Sequence, residues 1–279
     1  MSENAPNRVL LRAQDLVKVY PARGIGRTRT REVRAVDGVS FDLKVGETLA
    51  IVGESGSGKS TVANAVLRLH DVTSGSIEFD GKDITKLSRG QMHAIRRDLQ
   101  VVFQDPYESL DPRMRLGDIV AEPLRIHSPD MKRSERQEIV REMMSLVGLG
   151  SMPLDRYPHQ LSGGQRQRVG IARALIIEPK LVVCDEAVSA LDVSVQAQVL
   201  DLLSDLKERL GLSYLFITHD LAVVRQVADR VLVLYHGQVV EEGMTDEVLD
   251  HPREEYTRNL IAAVPGQRAE RERMKKETV

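Results

Sequence analysis

Apolar residues at Val33, Ala35, Val39, Phe41, Leu43 and Val45 alternate with mostly polar neighbours, the period-two signature of a half-buried antiparallel strand. A different pattern follows. Thr48-Leu49-Ala50-Ile51-Val52 is a short, nearly continuous apolar run that leads directly into glycines. Similar runs at 99–103, 181–184, 213–217 and 230–235 predict further buried strands. Helical segments separate most of them, which predicts a largely parallel sheet with helices on its faces. The clearest helix spans 193–210, where Val195, Val199, Leu202, Leu203, Leu206 and Leu210 form one 3.6-period stripe and Gly211 stands at the C′ position. Residues 105–165 hold few β-branched runs and several prolines, with a helix around 134–147 carrying Ile139, Val140, Met143 and Val147. Ser134 and Gln137 have the spacing of a capping box for that helix. This stretch predicts a helical insertion in an α/β core, followed by a helix over 165–177 that Pro179 helps to stop.

The chain has 279 residues, 42% of them hydrophobic, which suits one large domain or two small ones with room for a core. With 41 acidic and 39 basic side chains, the net charge of −2 makes no global case for nucleic-acid or anionic-membrane binding. No apolar run approaches the ~18 residues of a spanning helix, and Met1-Ser2-Glu3-Asn4 begins no signal peptide. A soluble, cytosolic protein is expected, any membrane role coming through a partner. The single cysteine, Cys184, leaves no disulfide or multi-thiolate cluster within the chain and reads as a small buried hydrophobe. Residues 21–34, with Arg23, Arg27, Arg29, Arg31 and Arg34, read as a basic hairpin loop, and 267–279 as a charged, frayed tail.

Four strand ends carry the chemistry. Gly53-Glu54-Ser55-Gly56-Ser57-Gly58-Lys59-Ser60 fits the G-x-x-x-x-G-K-[ST] phosphate loop, in the strand–loop–helix context that loop requires. Its glycines let the backbone turn around phosphate oxygens, and the amides of 56–61, Thr61 included, point at the anion from a helix N-terminus. Lys59 supplies charge to the β- and γ-phosphates, and the Ser60 hydroxyl can ligate Mg²⁺. Leu181-Val182-Val183-Cys184-Asp185-Glu186 is an apolar strand ending in two acids, a pattern that calls for a cation or a proton to be handled there. Asp185 suits Mg²⁺, and Glu186 suits the general base of an in-line hydrolysis. His219 and Gln104 end two other strands, as candidate contacts to the γ-phosphate and to Mg²⁺ or water. Tyr20 is packing at a strand end or a stacking surface for adenine.

A second glycine-rich helix start, Leu161-Ser162-Gly163-Gly164-Gln165, could present the Ser162 hydroxyl and backbone amides to an anion. The spacing does not decide whether that anion lies in the same chain or in another. In order, Tyr20, 53–60, Gln104, 161–165, Asp185-Glu186, Ser189-Ala190-Leu191-Asp192 and His219 resemble the full motif set of an ABC transporter ATPase subunit, over about residues 8–265. The resemblance implies a P-loop NTPase fold, with a RecA-like, mostly parallel sheet flanked by helices, an antiparallel β subdomain and an α-helical insertion. Its boundaries would be a core at 8–104 and 166–242, a helical subdomain at 105–165, and a C-terminal helix and tail at 243–279.

In that family two subunits sandwich two ATP molecules head to tail. Glu54, Ser55, Ser57 and the other loop residues, with Tyr20, would hold ATP in cis. Ser162, Gly163, Gly164 and Gln165 would act in trans, and Asp192 would line the interface. Mg²⁺ would rest on Ser60, Gln104 and Asp185, and catalysis on Glu186, His219, Gln104 and Lys59. The resemblance further implies a second ATPase subunit, transmembrane permease subunits met through Gln104 and the helical insertion, and indirectly a solute-binding protein. It implies no nucleic-acid partner, and a peripheral place on the cytoplasmic side of the bacterial inner membrane.

Val102-Phe103-Gln104-Asp105-Pro106-Tyr107-Glu108-Ser109-Leu110-Asp111-Pro112 is similar to the oligopeptide, dipeptide and nickel importer branch. So are Tyr157-Pro158-His159-Gln160, 192–198, and the C-terminal His251-Pro252, Tyr256-Thr257-Arg258 and Ala263-Val264-Pro265. Ala187 departs from the usual proline after the glutamate, and the tail ends soon after Pro265 without the cysteine-bearing extension of many relatives. A non-transport cytosolic ABC ATPase in a metabolic or nucleic-acid complex is the alternative function.

Overall fold

A computed structural model of the chain describes residues 8–22, 31–105 and 109–263. Residues 23–30 of the basic connection, the Pro106-Tyr107-Glu108 step and the tail beyond Ala263 lie outside them. The elements run β1 (Val9–Ala22), β2 (Arg31–Lys44), β3 (Thr48–Val52), α1 (Lys59–Val66), β4 (Ser74–Phe79), β5 (Lys82–Asp83), α2 (Arg89–Asp98) and β6 (Leu99–Val102). Then come α3 (Leu116–His127), α4 (Arg133–Leu146), a 3-10 turn at Pro158–Gln160, α5 (Gly163–Leu175), β7 (Leu181–Asp185) and α6 (Val193–Leu210). The last elements of the described residues are β8 (Ser213–Ile217), α7 (Leu221–Val227), β9 (Arg230–Tyr235), β10 (Gln238–Met244), α8 (Thr245–Asp250) and α9 (Glu255–Ala262). They fall into two units, Met1–Lys86 with Leu215–Val279, and Leu87–Tyr214.

The first unit holds an antiparallel sheet of order β2-β1-β4-β5. Register shifts at four places between β1 and β2 disturb the alternation on which it is built. In β1, Asp15 takes a left-handed conformation, φ 49°, and donates its amide to Ser40 Oγ at 2.8 Å. In β2 the partners jump from Val17↔Asp37 to Leu16↔Val39, past Gly38 at φ 75°. One extra residue moves the following side chains to the other face. Val39, Phe41 and Leu43 are buried as the alternation predicts and Val36 joins them past Gly38, whereas Val33, beyond a further shift between Lys18↔Val36 and Val19↔Arg34, is 50% exposed.

The same unit carries β10-β9-β3, with β3 parallel to β9 (Leu49↔Arg230 to Val52↔Val233) and β10 antiparallel at the edge. All five residues of β3 are buried. That is why the strand reads as an unbroken apolar run, each large side chain contributing about 1.5–3 kcal/mol of burial. The end of β8 lies against β3, where the Thr218 amide donates to the Ile51 carbonyl at 3.2 Å.

In the second unit β6 and β7 pair in parallel, Leu99↔Leu181 to Val102↔Cys184. Phe103, expected inside the strand, lies beyond its end and is 41% exposed. Cys184 is fully buried, and burial pushes its thiol pKa up, as suits a hydrophobe. α6 has the expected bounds and ends at Gly211 in the left-handed conformation, φ 64°. Its buried residues are Val199, Leu200, Leu203 and Leu206, so the core face is rotated away from Leu210, which is 38% exposed. α4 begins one residue before Ser134, with Lys132 at the N-cap and no side-chain cap bond, so the Ser134–Gln137 capping box does not form. Ser134 lies inside the first turn, where its backbone is already helical and cannot adopt the extended cap conformation. A capping box does form at α2, between Ser88 and Gln91.

Candidate nucleotide site

In the first unit the 53–60 loop joins the buried end of β3 to α1. Gly53, Gly56 and Gly58 have φ of 153°, 82° and 106°. The three glycines serve different ends. A Cβ on Gly53 would lie 2.2 Å from the Leu234 carbonyl oxygen, and one on Gly58 the same distance from that of Ala35. These two let the loop press against β9 and β2, while nothing lies within 4 Å of a Cβ on Gly56. The turn after β9 closes the packing, the Gly237 amide donating to Ser57 O at 2.8 Å.

Lys59 is only 5% exposed, and its ammonium donates to the carbonyls of Gly53 at 2.7 Å and Glu54 at 2.8 Å. Its charge is thus held inside the curve of the loop. No side chain caps α1, whose N-cap is Gly58. Ser57 Oγ is buried without a hydrogen-bond partner. A buried hydroxyl, a fixed cation and an uncapped helix start fit a phosphate group, which supplies acceptor oxygens to all three. Ser60 is exposed on the first turn of α1.

His219 follows β8 in the same unit and is exposed. Its neighbour Asp220 caps α7 by accepting the Ala222 amide at 2.8 Å. Tyr20 is half-buried near the end of β1, its ring edge-on to His70 with centroids 6.5 Å apart and Lys18 Nζ 5.1 Å from the ring centre.

The second unit brings Gln104 and Asp185 together. With Phe103, Asp105, Ser109 and Arg173 they line a cavity of about 510 Å³ at the carboxyl ends of β6 and β7. Arg173 escaped the sequence reading. It donates to the Ser109 carbonyl at 2.6 Å. Glu186, next after β7, has φ 49°, a conformation that costs a non-glycine residue on the order of 1–3 kcal/mol. Its carbonyl accepts both the amide and the hydroxyl of Ser189 at 3.0 Å, which holds the turn. Ala187 and Val188 beneath it are buried.

Within this unit, 161–165 meets 189–195. Ser162 is the N-cap of α5, which starts at Gly163 rather than at Gln165. Ser162 and Gln165 form a reciprocal capping box, the Gln165 amide donating to Ser162 Oγ at 3.3 Å and the Ser162 amide to Gln165 Oε1 at 3.0 Å. A Cβ on Gly164 would come within 2.4 Å of Val195 Cγ1, so this glycine seats α5 against the first turn of α6. Asp192 caps α6 through Val195 N at 3.0 Å, and the Ser194 hydroxyl beside it holds its carboxyl below the usual carboxylate range.

Among the described residues, no three His, Cys, Asp or Glu converge on a metal position. Within the second unit, Gln104 and Asp185 offer oxygen donors on one cavity, the kind of ligand that Mg²⁺, a hard ion, takes. No helix among the described residues is long and apolar enough to cross a membrane.

The ABC transporter family model matches residues 36–189. The oligopeptide transport ATP-binding protein OppF of Escherichia coli (strain K12) is 54% identical over 84% of this chain and 70% of that protein. The glutathione import ATP-binding protein GsiA of the same strain is 51% identical over 95% of this chain, which spans 42% of its length. Among solved structures, the dimeric post-hydrolysis state of the ATP-binding cassette MJ0796 bound to ADP and Pi has a TM-score of 0.74 at 32% identity, covering 85% of this chain and 99% of that one. With the fold, the phosphate loop and these matches in agreement, the chain belongs to the ABC transporter family and has the fold of its ATP-binding cassettes.

Proposed function

We propose that this chain binds and hydrolyses ATP as the energising subunit of an importer for oligopeptides, dipeptides or a similar small solute. The observation that carries the ATPase reading is the phosphate loop, with its buried Lys59 cation and unpartnered Ser57 hydroxyl. The import reading rests on the oligopeptide transport relative, of which the chain covers 70%.

In this reading the loop of 53–61 and Lys59 hold the phosphates, and Tyr20 stacks on the base. Ser60, Gln104 and Asp185 would hold Mg²⁺, which would supply positive charge against the phosphate oxygens. Glu186 takes a proton from the attacking water, its strained backbone fixing where the carboxylate emerges. His219 contacts the γ-phosphate.

Ser162, Gly163, Gly164, Gln165 and Asp192 serve the nucleotide of a second ATPase subunit, so the working unit is a dimer, as in the MJ0796 structure. The helical part meets permease subunits on the cytoplasmic side of the inner membrane. A solute-binding protein acts upstream of the permease.

The test uses Glu186→Gln. The variant should keep ATP binding and lose ~10²–10⁴-fold in turnover, the size of a general-base contribution. Trapped with ATP in native membranes, it should retain hydrophobic permease subunits on affinity capture. Unchanged hydrolysis removes Glu186 from the base role, and recovery of soluble partners alone overturns the transport reading.

A further inference from the structure

His251-Pro252 and Tyr256-Thr257-Arg258 form a C-terminal pattern that the nucleotide chemistry above leaves without a task. In the first unit each of these side chains or carbonyls has a definite place. Arg258 donates to the carbonyls of Pro252 at 3.2 Å and Arg253 at 2.8 Å, bracing the turn into α9. Thr257 is buried, at 1% exposure.

Glu254, the N-cap of α9, makes no side-chain cap bond. The start of the helix is tied instead to β10, through Glu241. Its carboxylate accepts the amides of Arg253 at 2.8 Å and Glu254 at 3.2 Å. Burial acts to raise the Glu241 pKa, but these bonds outweigh it and hold the carboxyl below its ordinary range. α9 is thereby fixed to the sheet at the N-terminal end that carries Tyr256.

From there Tyr256 reaches the phosphate loop. Its hydroxyl accepts the Glu54 amide at 3.1 Å, across 202 positions of sequence. Its ring packs on Tyr235, with centroids 4.2 Å apart. Tyr235 ends β9 beside Leu234, whose carbonyl faces Gly53, and two residues before Gly237, whose amide holds Ser57. The loop therefore packs at Gly53 against β9, and is held at Ser57 by the β9–β10 turn and at Glu54, between them, by α9.

We propose that Tyr256 is a positioning residue for nucleotide binding, fixing the Glu54 peptide so that the C-terminal helix holds the phosphate loop in its binding conformation. The proposal rests on the phosphate-loop reading above. Tyr256 does not touch the reacting atoms. Its effect is to remove conformational freedom that binding would otherwise have to freeze. Loss of one neutral hydrogen bond of this kind corresponds to a change of about 3-fold in affinity, and loss of the ring contact with it to about 10-fold.

The test is Mg·ATP binding by calorimetry, with steady-state hydrolysis, on full-length Tyr256→Phe, Tyr256→Ala and Lys59→Ala chains. Tyr256→Phe should raise Kd and KM for ATP about 3-fold with kcat within about 2-fold, and Tyr256→Ala about 10-fold. Amide hydrogen exchange at Glu54 should quicken in Tyr256→Phe, without faster exchange in the β3 core. ATP affinity of Tyr256→Phe equal to wild type overturns the proposal whatever Tyr256→Ala does, as does unaltered exchange at Glu54. The Lys59→Ala chain separates the two readings: if it too binds ATP as wild type, the phosphate-loop reading fails with the proposal. Weak binding by Lys59→Ala beside normal binding by Tyr256→Phe rejects Tyr256 alone.

Discussion

Two glycine-rich stretches start helices in this chain, α1 at Gly58 and α5 at Ser162, and they are built in opposite ways. The start of α1 has no side-chain cap, three glycines at positive φ and a lysine turned inward onto loop carbonyls. The start of α5 is an ordinary capped helix with Ser162 at φ −68° and a complete capping box. Helix N-terminal donors need partners. α5 supplies one from its own side chains, whereas α1 has no side-chain cap and, in the function proposed above, meets the phosphates there. A glycine-rich helix start is thus not one kind of site. The first is a loop closed around a lysine; the second is a capped helix start whose serine is exposed.

This difference can be broken most decisively by complementation. If 53–60 and 161–165 belong to sites completed by different chains, Lys59→Ala and Ser162→Arg homodimers should each lose turnover on the order of 10²-fold or more. Mixing the two should restore ATPase activity well above either parent through heterodimers with one intact site. No recovery, with mixed dimers verified by differential tagging, would leave both motifs acting within one chain.

A smaller but cleaner contrast lies in the glycines. Gly58→Ala puts a Cβ 2.2 Å from the Ala35 carbonyl at φ 106° and should destabilise the protein by at least about 2 kcal/mol in urea unfolding. Gly163→Ala meets only Leu191 Cδ2 at 3.6 Å and should change stability by about 0.5 kcal/mol or less. Equal losses would erase the distinction between a strained cradle and a relaxed helix start.

The finest cut is at Ser162. Removing its cap in Ser162→Ala should cost about 1 kcal/mol of stability, whereas Ser162→Asp preserves a capping oxygen. If Ser162 also faces an anion, Ser162→Asp should remain as stable as wild type yet hydrolyse ATP poorly. Normal hydrolysis by that stable variant would confine Ser162 to capping.

Some of this architecture was legible in the residues. The bounds of β3, β8, β9 and α6 coincide with the apolar runs and the amphipathic stripe that predict them. Strands buried on both faces tolerate no polar interruption, so their ends show in composition. β1, β4 and β10 were not legible in this way. In β1 the left-handed Asp15 breaks the alternation. β10 is an edge strand, with only Glu241 buried along it, and carries almost no apolar period. The Ser134–Gln137 spacing misled because a capping box is a geometric motif, and the same spacing occurs wherever serine falls inside a first helical turn.

What the sequence determined by itself was chemical identity and local order: a phosphate loop after a buried strand, two acids ending another, and a capped helix start at Ser162. These rest on neighbours in the chain, so residue type and spacing suffice to specify them. Only the tertiary structure decided that Gly53 and Gly58 serve packing while Gly56 stays open, that Arg173 reaches the Ser109 carbonyl, and that Tyr256 reaches Glu54. Each of these is a contact between atoms remote in sequence. It depends on where strands and helices bring backbone carbonyls and amides, and no local pattern encodes that position.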